Sequence, residues 1–261
     1  MRSFQRFVSR HRWVMPVFFT AAAIVYAYIF ADLGLSPWWA MVLLPFIMIS
    51  FFMGSSVSSA LQLPAIKALD EACDPYPLLD ETTVQLTYVK NKQDRATLTL
   101  NHTAALIELG QAGKARALLA TVCHADLPPL PTAWLAYNVN MAMAELQATG
   151  DFARAQVFYE QGCPLPERVK NPKQQAIMTD SLRLLYAELL LAQGEAGAAL
   201  PVVNAIADTG PRMQVSKAWA YARIALATGD TETARQNLAY VLAHGNRLYV
   251  VQHARALMET L

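Results

Sequence analysis

The sequence predicts an all-α protein, a two-helix transmembrane hairpin followed by an α-solenoid of helical hairpins. Three observations carry this expectation. Two long runs near the N-terminus have no charged side chain, a glycine–alanine pattern recurs four times downstream, and neither β-branched alternation nor hairpin turns such as Asn-Gly recur. Of 261 residues 54% are hydrophobic and only 16% charged, against about a quarter charged in soluble domains, so part of the chain is expected to lie out of water.

Residues 1–12 form a basic segment with Arg2, Arg6, Arg10 and Arg12. Residues 13–31 (WVMPVFFTAAAIVYAYIFA) and 38–57 (WWAMVLLPFIMISFFMGSSV) are uncharged runs of 19 and 20 residues. At the helical rise each is long enough to cross a bilayer core of about 30 Å. A cleaved signal peptide fits less well, because no small-x-small cleavage site follows the first run and a second spanning run comes next. The six-residue connection DLGLSP makes the two helices antiparallel neighbours in one transmembrane hairpin, residues 13–57, through which the lipid bilayer is a partner.

Four Arg precede the first span and the loop has only Asp32, so the positive-inside rule puts both termini and everything after Val57 in the cytoplasm. The expected protein is therefore a two-pass integral membrane protein. Ala23, Ala27 and Ala31 make a small-xxx-small edge suited to packing against the second span, and Pro45 should bend that span. Neither span contains an ionisable residue of the kind that marks ion or proton pathways.

Residues 58–93 read as a transition with a degenerate helix pair, one helix opened by Pro64 and running to Ala72, the next restarted at Asp74-Pro75. Residues 94–261 contain the repeat. Gly110, Gly150, Gly194 and Gly229 are each followed five residues later by alanine (Ala115, Ala155, Ala199, Ala234), and apolar positions then fall mostly at helical spacing. The glycine suits the left-handed residue that ends one helix; the alanine suits the closest crossing of the two helices of a pair. Pro166, Asn171 and Pro172 mark the longest interior connection, where an enlarged helix would widen the repeat. Asn246 to Leu261 should form a closing helix over the end of the stack.

The phrases GDFARAQVFYEQGCPLP and GDTETARQNLAYVLAHG resemble the second half of a tetratricopeptide repeat (TPR) over roughly residues 94 to 245, and Pro211 falls where that family often closes a repeat. Glycine intervals of 40, 44 and 35 residues depart from the family period of about 34, and Trp134 lies too far upstream for the usual tryptophan. The resemblance implies that first helices line a concave face, with Tyr137, Asn140, Ser181, Glu188, Trp219 and Arg223 turned towards it for a protein or peptide partner.

Little chemistry is legible. GQAGKA is no phosphate loop, since Glu108 stands where its first glycine belongs and Ala115 where Ser or Thr should bind magnesium. Cys123, His124 and Cys163 have no metal-ligand spacing; the two cysteines, each thirteen residues after its glycine, are expected to pack at the end of second helices. No catalytic site, metal or cofactor is expected, and the chain does not read as an enzyme. A formal net charge of +1 gives no basic excess for nucleic acid.

The expected function is a membrane-tethered TPR-like scaffold for protein–protein interaction at the cytoplasmic face. The alternative is an accessory or assembly subunit of a membrane complex (transport, secretion or envelope) with the hairpin as recognition element. A third reading, a sensor of a small ligand, needs a deep polar pocket. The topology is testable by cysteine labelling in intact cells. A cysteine at Ser36 should react with an impermeant reagent while cysteines at Ser3 and Thr260 stay protected until the membrane is opened; early reaction at Thr260 would reverse the orientation.

Overall fold

The computed structural model describes residues 14–32 and 60–261, in two units that divide between Pro64 and Ala65. The basic segment 1–12, the connecting loop and the second apolar run, 38–57, lie outside the described residues. Every described regular element is helical.

In the first unit, α1 (Val14–Asp32) is an unbroken helix of 19 residues. Its described side chains are Val17, Phe18, Thr20, Ala21, Ala22, Ile24, Val25, Tyr28, Ile29 and Asp32; those of Ala23, Ala27 and Ala31 are outside that set. Among the described residues no helix is long and apolar enough to cross a membrane. The described large apolar side chains of α1 are nevertheless all exposed, from 49% at Ile29 to 79% at Tyr28.

The second unit is a stack of consecutive helices of solenoid type. α2 is already helical at residue 60 and runs to 72, so Pro64 lies within it instead of opening it. α3 (Tyr76–Leu86) restarts behind Pro75, with the Tyr76 amide donating to Asp74 Oδ1 at 3.2 Å. Four hairpins follow: α4 (Lys92–Glu108) with α5 (Ala112–Leu119), α6 (Pro131–Thr149) with α7 (Phe152–Gly162), α8 (Pro172–Ala192) with α9 (Ala196–Asn204), and α10 (Pro211–Thr228) with α11 (Thr231–His244). α12 (Tyr249–Met258) ends the chain. First helices pack on first helices, α4 on α6, α6 on α8 and α8 on α10.

The repeat is the visible outcome of a turn chemistry. Gly150 sits at φ +68° beyond the end of α6, a left-handed conformation that costs a residue with a Cβ about 1–2 kcal/mol. Asp151 next to it accepts the Arg154 amide at 3.0 Å, satisfying one of the free donors at the start of α7. Gly229 and Asp230 repeat the device, the carboxylate accepting the Thr233 amide at 3.0 Å. Ala115, Ala155, Ala199 and Ala234 are each 0% exposed, so the close crossing in every hairpin has no room for a larger side chain. α8, at 21 residues, is the longest helix of the stack, and α7, at 11 against 8 in α5, adds more to the 44-residue interval than α8 does; the connection between them, 163–171, is shorter than the 120–130 connection, contrary to the sequence expectation. Asn171 caps α8 by accepting the Lys173 and Gln174 amides.

Glu145 of α6, 0% exposed, joins neighbouring second helices across their shared first helix. It pairs with Arg116 of α5 at 2.9 Å and with Arg154 of α7 at 3.1 Å. Removing both arginines would leave a buried carboxylate uncompensated, which costs far more than losing a surface bridge. The expectation for the cysteines is corrected: Cys123 and Cys163 are exposed, Cys123 beyond the end of α5 and Cys163 on the outer side of the last turn of α7.

The two ends of the stack meet. Ala65, Leu69 and Cys73 share one core with Val215, Trp219, Leu238, Leu248 and Val251. Asn246 donates to the Ala72 carbonyl at 2.8 Å, and the Arg247 amide to the Cys73 carbonyl at 3.2 Å. Cys73 and Asn246, at φ 52° and 46°, are the non-glycine residues with positive φ among those described, and both sit in this seam. The last helix packs both on α11, at the end of the stack, and on α2, at its start.

Substituting Ala155 by Leu should overpack the α6–α7 crossing and cost roughly 1 to 3 kcal/mol. Thermal melting of the full chain checks this, with Val157→Leu on the exposed face of α7 as the control expected to melt like the wild type.

Candidate functional site

The concave side of the stack contains a cavity of about 480 Å³ lined by the first helix of every hairpin, with α2 and α12 completing the wall. From α6 come Leu135, Val139, Asn140, Met143 and Gln147; from α8 Ile177, Met178, Ser181, Leu185 and Glu188; from α10 Arg212, Met213, Ser216 and Trp219. Ile107 and Glu108 of α4, Leu69 of α2, and Leu248, Tyr249 and Val250 at the start of α12 close the rest. The wall is mostly apolar and contains no histidine or cysteine.

Of the residues the sequence turned towards a groove, Asn140, Ser181, Glu188 and Trp219 line this cavity. Arg223 does not line it, but pairs with Glu188 and lies 5.9 Å from the centre of the Trp219 ring. Asn140 Nδ2 donates to the Leu100 carbonyl at 2.9 Å and approaches Thr103 Oγ1 at 3.3 Å, tying α6 to α4. Ser181 Oγ donates back to the Ile177 carbonyl at 2.9 Å. Tyr137, 6% exposed, stands elsewhere: it packs with Leu100, Leu119 and Leu127 and meets His124 edge-on at 5.0 Å. At about 100° per residue Tyr137 is turned some 60° round α6 from Asn140, enough to carry it off the cavity wall into the neighbouring core.

Residues that sequence reasoning did not single out dominate one end of the cavity. Arg212, the residue after the helix-opening Pro211, bridges Asp70 of α2 and Glu108 of α4, each at 2.9 Å. These partners are 142 and 104 residues away, so no local pattern announces them. Tyr249 enters from α12, outside the repeat register; burial, then the nearby Glu188 and Glu108 carboxylates, push its hydroxyl pKa up, so it stays a protonated donor. The Gln147 carboxamide lies beside Tyr249, yet neither its Oε1 nor its Nε2 finds a hydrogen bond of normal geometry within the protein. Its only sequence signal is a spacing of seven from Asn140.

Among the described residues no group of three or more His, Cys, Asp or Glu side chains could hold a metal ion. No protein-family model, curated protein or solved structure matches the chain.

Arg212→Gln should leave Asp70 and Glu108 without their shared cation and loosen α2 from the wall. Amide hydrogen exchange is expected to quicken at least about tenfold at residues 65–72 while α6–α9 keep their protection; unchanged rates in α2 would mean that apolar packing alone holds it.

Proposed function

We propose that this chain is a membrane-tethered, TPR-like scaffold that holds a segment of another protein at the cytoplasmic face of the membrane, both termini and the repeat domain being cytoplasmic. One observation carries the reading: the first helices of four successive hairpins converge on a single concave, mainly apolar cavity. Its size is in the range of about 300–1,000 Å³ typical of binding pockets. Its charged groups are already engaged, Arg212 with Asp70 and Glu108, and Glu188 with Arg223, which favours binding over acid–base work. That engagement, and the apolar wall, also favour a protein segment over the polar small ligand of a sensor.

The tether rests on the uncharged run 13–31 and on the exposure of Val17, Phe18, Ile24, Val25, Tyr28 and Ile29 in α1. Apolar surface left in water forgoes about 25 cal/mol per Å², so such a helix gains from a hydrocarbon environment or from another helix. The same exposed side chains favour the second reading, an accessory or assembly subunit recognised through its hairpin.

A photo-crosslinking residue placed at Ser181 in one strain and at Ile24 in another separates the two. In the scaffold reading the Ser181 probe yields one discrete adduct, and α1 keeps the protein in the membrane fraction after carbonate washing. Adducts from Ile24 alone would transfer recognition to the bilayer.

A further inference from the structure

Resting on that reading of the cavity, we propose that what enters it is a single unbranched hydrocarbon chain of about sixteen carbons, the acyl chain of a one-chain lipid or of an acylated protein segment, with its head group left outside. The first argument is shape. The lining on α6 runs from Thr132 to Gln147 and on α8 from Gln174 to Glu188. At 1.5 Å per residue these stretches are about 22 and 21 Å long. A volume of about 480 Å³ spread over such a length leaves a section of roughly 23 Å². A helix about 10 Å across needs roughly three times that area. A hydrocarbon chain, with bonds of about 1.5 Å in zigzag, advances about 1.25 Å per carbon and covers the length in about sixteen. One end is open: Gln174 and Ile177 are exposed, Ile177 to 47%, whereas Leu185, two turns further along α8, is 1% exposed and Ile107 and Leu248 are buried. The chain enters past Ile177 and its tail lies towards Leu185.

The second argument is that the wall's polar groups are already engaged. Asn140 Nδ2 donates to the Leu100 carbonyl and Thr103, Ser181 to the Ile177 carbonyl and Ser216 to the Arg212 carbonyl. Gln147 is turned to the Tyr249 hydroxyl. Arg212 is held by Asp70 and Glu108, and Glu188 by Arg223. Gln174 stands in solvent at the open end. An extended peptide brings one N–H and one C=O per residue, and burial against this wall would leave them unsatisfied. A charged ligand would have to break an ion pair or stay uncompensated. A hydrocarbon chain needs no partner, so the engaged wall that disfavours both of these suits it.

The remaining lining fits the same occupant. Met143, Met178 and Met213 are unbranched and flexible, and follow the contour of a chain. A single acyl chain also holds to a bilayer only marginally and reversibly, so it can leave for a protein site where a two-chain lipid stays.

Photolabelling of the full-length protein in lipid nanodiscs tests this. One probe is hexadecanoyl lysophosphatidylcholine; the other is a glycine–serine tetrapeptide amide with the same chain on its N-terminus. Each carries a diazirine either at the chain end or near the head, and the labelled residues are read by mass spectrometry. From at least one carrier the terminal diazirine should label the closed end around Leu185 and Leu248, and the diazirine near the head should label Thr132, Gln174 or Ile177. Excess unlabelled hexadecanoyl carrier should suppress both, while a pool of neutral apolar hexapeptides, acetylated and amidated, should displace neither. Ser181→Trp, which narrows the cavity midway, should lower labelling of the closed end at least about tenfold; if that variant does not fold, the positions labelled in the wild type decide. Displacement by the hexapeptides, the same residues labelled wherever the diazirine sits, no suppressible labelling of the wall from either carrier, or closed-end labelling unchanged in folded Ser181→Trp would each overturn the proposal. Labelling from the lysolipid alone makes the source a membrane lipid, labelling from the acylated peptide alone a modified protein, and labelling from both a chain taken regardless of its carrier; all three uphold the hydrocarbon occupant. The photo-crosslinking residue at Ser181 keeps this apart from the scaffold reading. A labelled wall with no protein adduct upholds the chain and removes the scaffold; a discrete protein adduct with an unlabelled wall does the reverse.

Discussion

Closure between the two ends of the stack decides what the concave side can be. A solenoid left open presents a curved groove, because each hairpin touches only its neighbours. Here Arg212 draws Asp70 and Glu108 to one guanidinium, while Asn246 and Arg247 hydrogen-bond to the backbone at Ala72 and Cys73. These contacts hold α2 and α12 against the first helices, so that Leu69 and Tyr249 contribute to the cavity wall. The seam has a cost in backbone conformation, since Cys73 adopts a positive φ without the help of a glycine. A thiol 1% exposed within the apolar core of Leu69, Val215 and Leu248 offsets part of that cost by burial.

The repeat beneath the seam needs less. One glycine beyond each first helix, one small residue at each crossing and an apolar stripe on each second helix are local requirements. The four fully buried alanines show how little the hairpins vary at their point of closest approach. Length is free by comparison: the first helices that fall within the three glycine intervals are 19, 21 and 18 residues long, and the crossing alanine of every hairpin stays fully buried. This is why the hairpin register survives although the glycine intervals vary from 35 to 44 residues.

The same distinction explains what the sequence disclosed. The hairpins were legible because their determinants lie within a dozen residues of one another, as with Gly150, Asp151 and Ala155. Asn140, Ser181, Glu188 and Trp219 were legible as a face because helical spacing alone places them. Tyr137 differs by a rotation of about 60° on α6, a margin that counting back from a glycine does not resolve. Arg212 and Tyr249 were not legible at all: their partners lie on helices that meet them only after closure, and α12 follows no repeat pattern. Cys123 and Cys163 share a register, yet both are exposed, so a shared register does not by itself place a residue in the core.

Closure also links the cavity to the stability of the fold. Leu69, Glu108, Arg212 and Tyr249 belong both to the wall and to the junction of α2, α4, α10 and α12. An occupant that fits the closed wall and not the opened one stabilises the seam by RT ln(1 + [L]/Kd), about 2.7 kcal/mol at a hundredfold excess over Kd. Linkage makes the effect reciprocal, so whatever holds the seam shut raises affinity for the occupant by the same factor. Ion pairs at a partly exposed seam contribute modestly, and the apolar contacts of Leu69, Trp219 and Leu248 supply most of the holding energy. Affinity in this cavity is therefore set as much by the packing of α2 and α12 as by the residues an occupant touches.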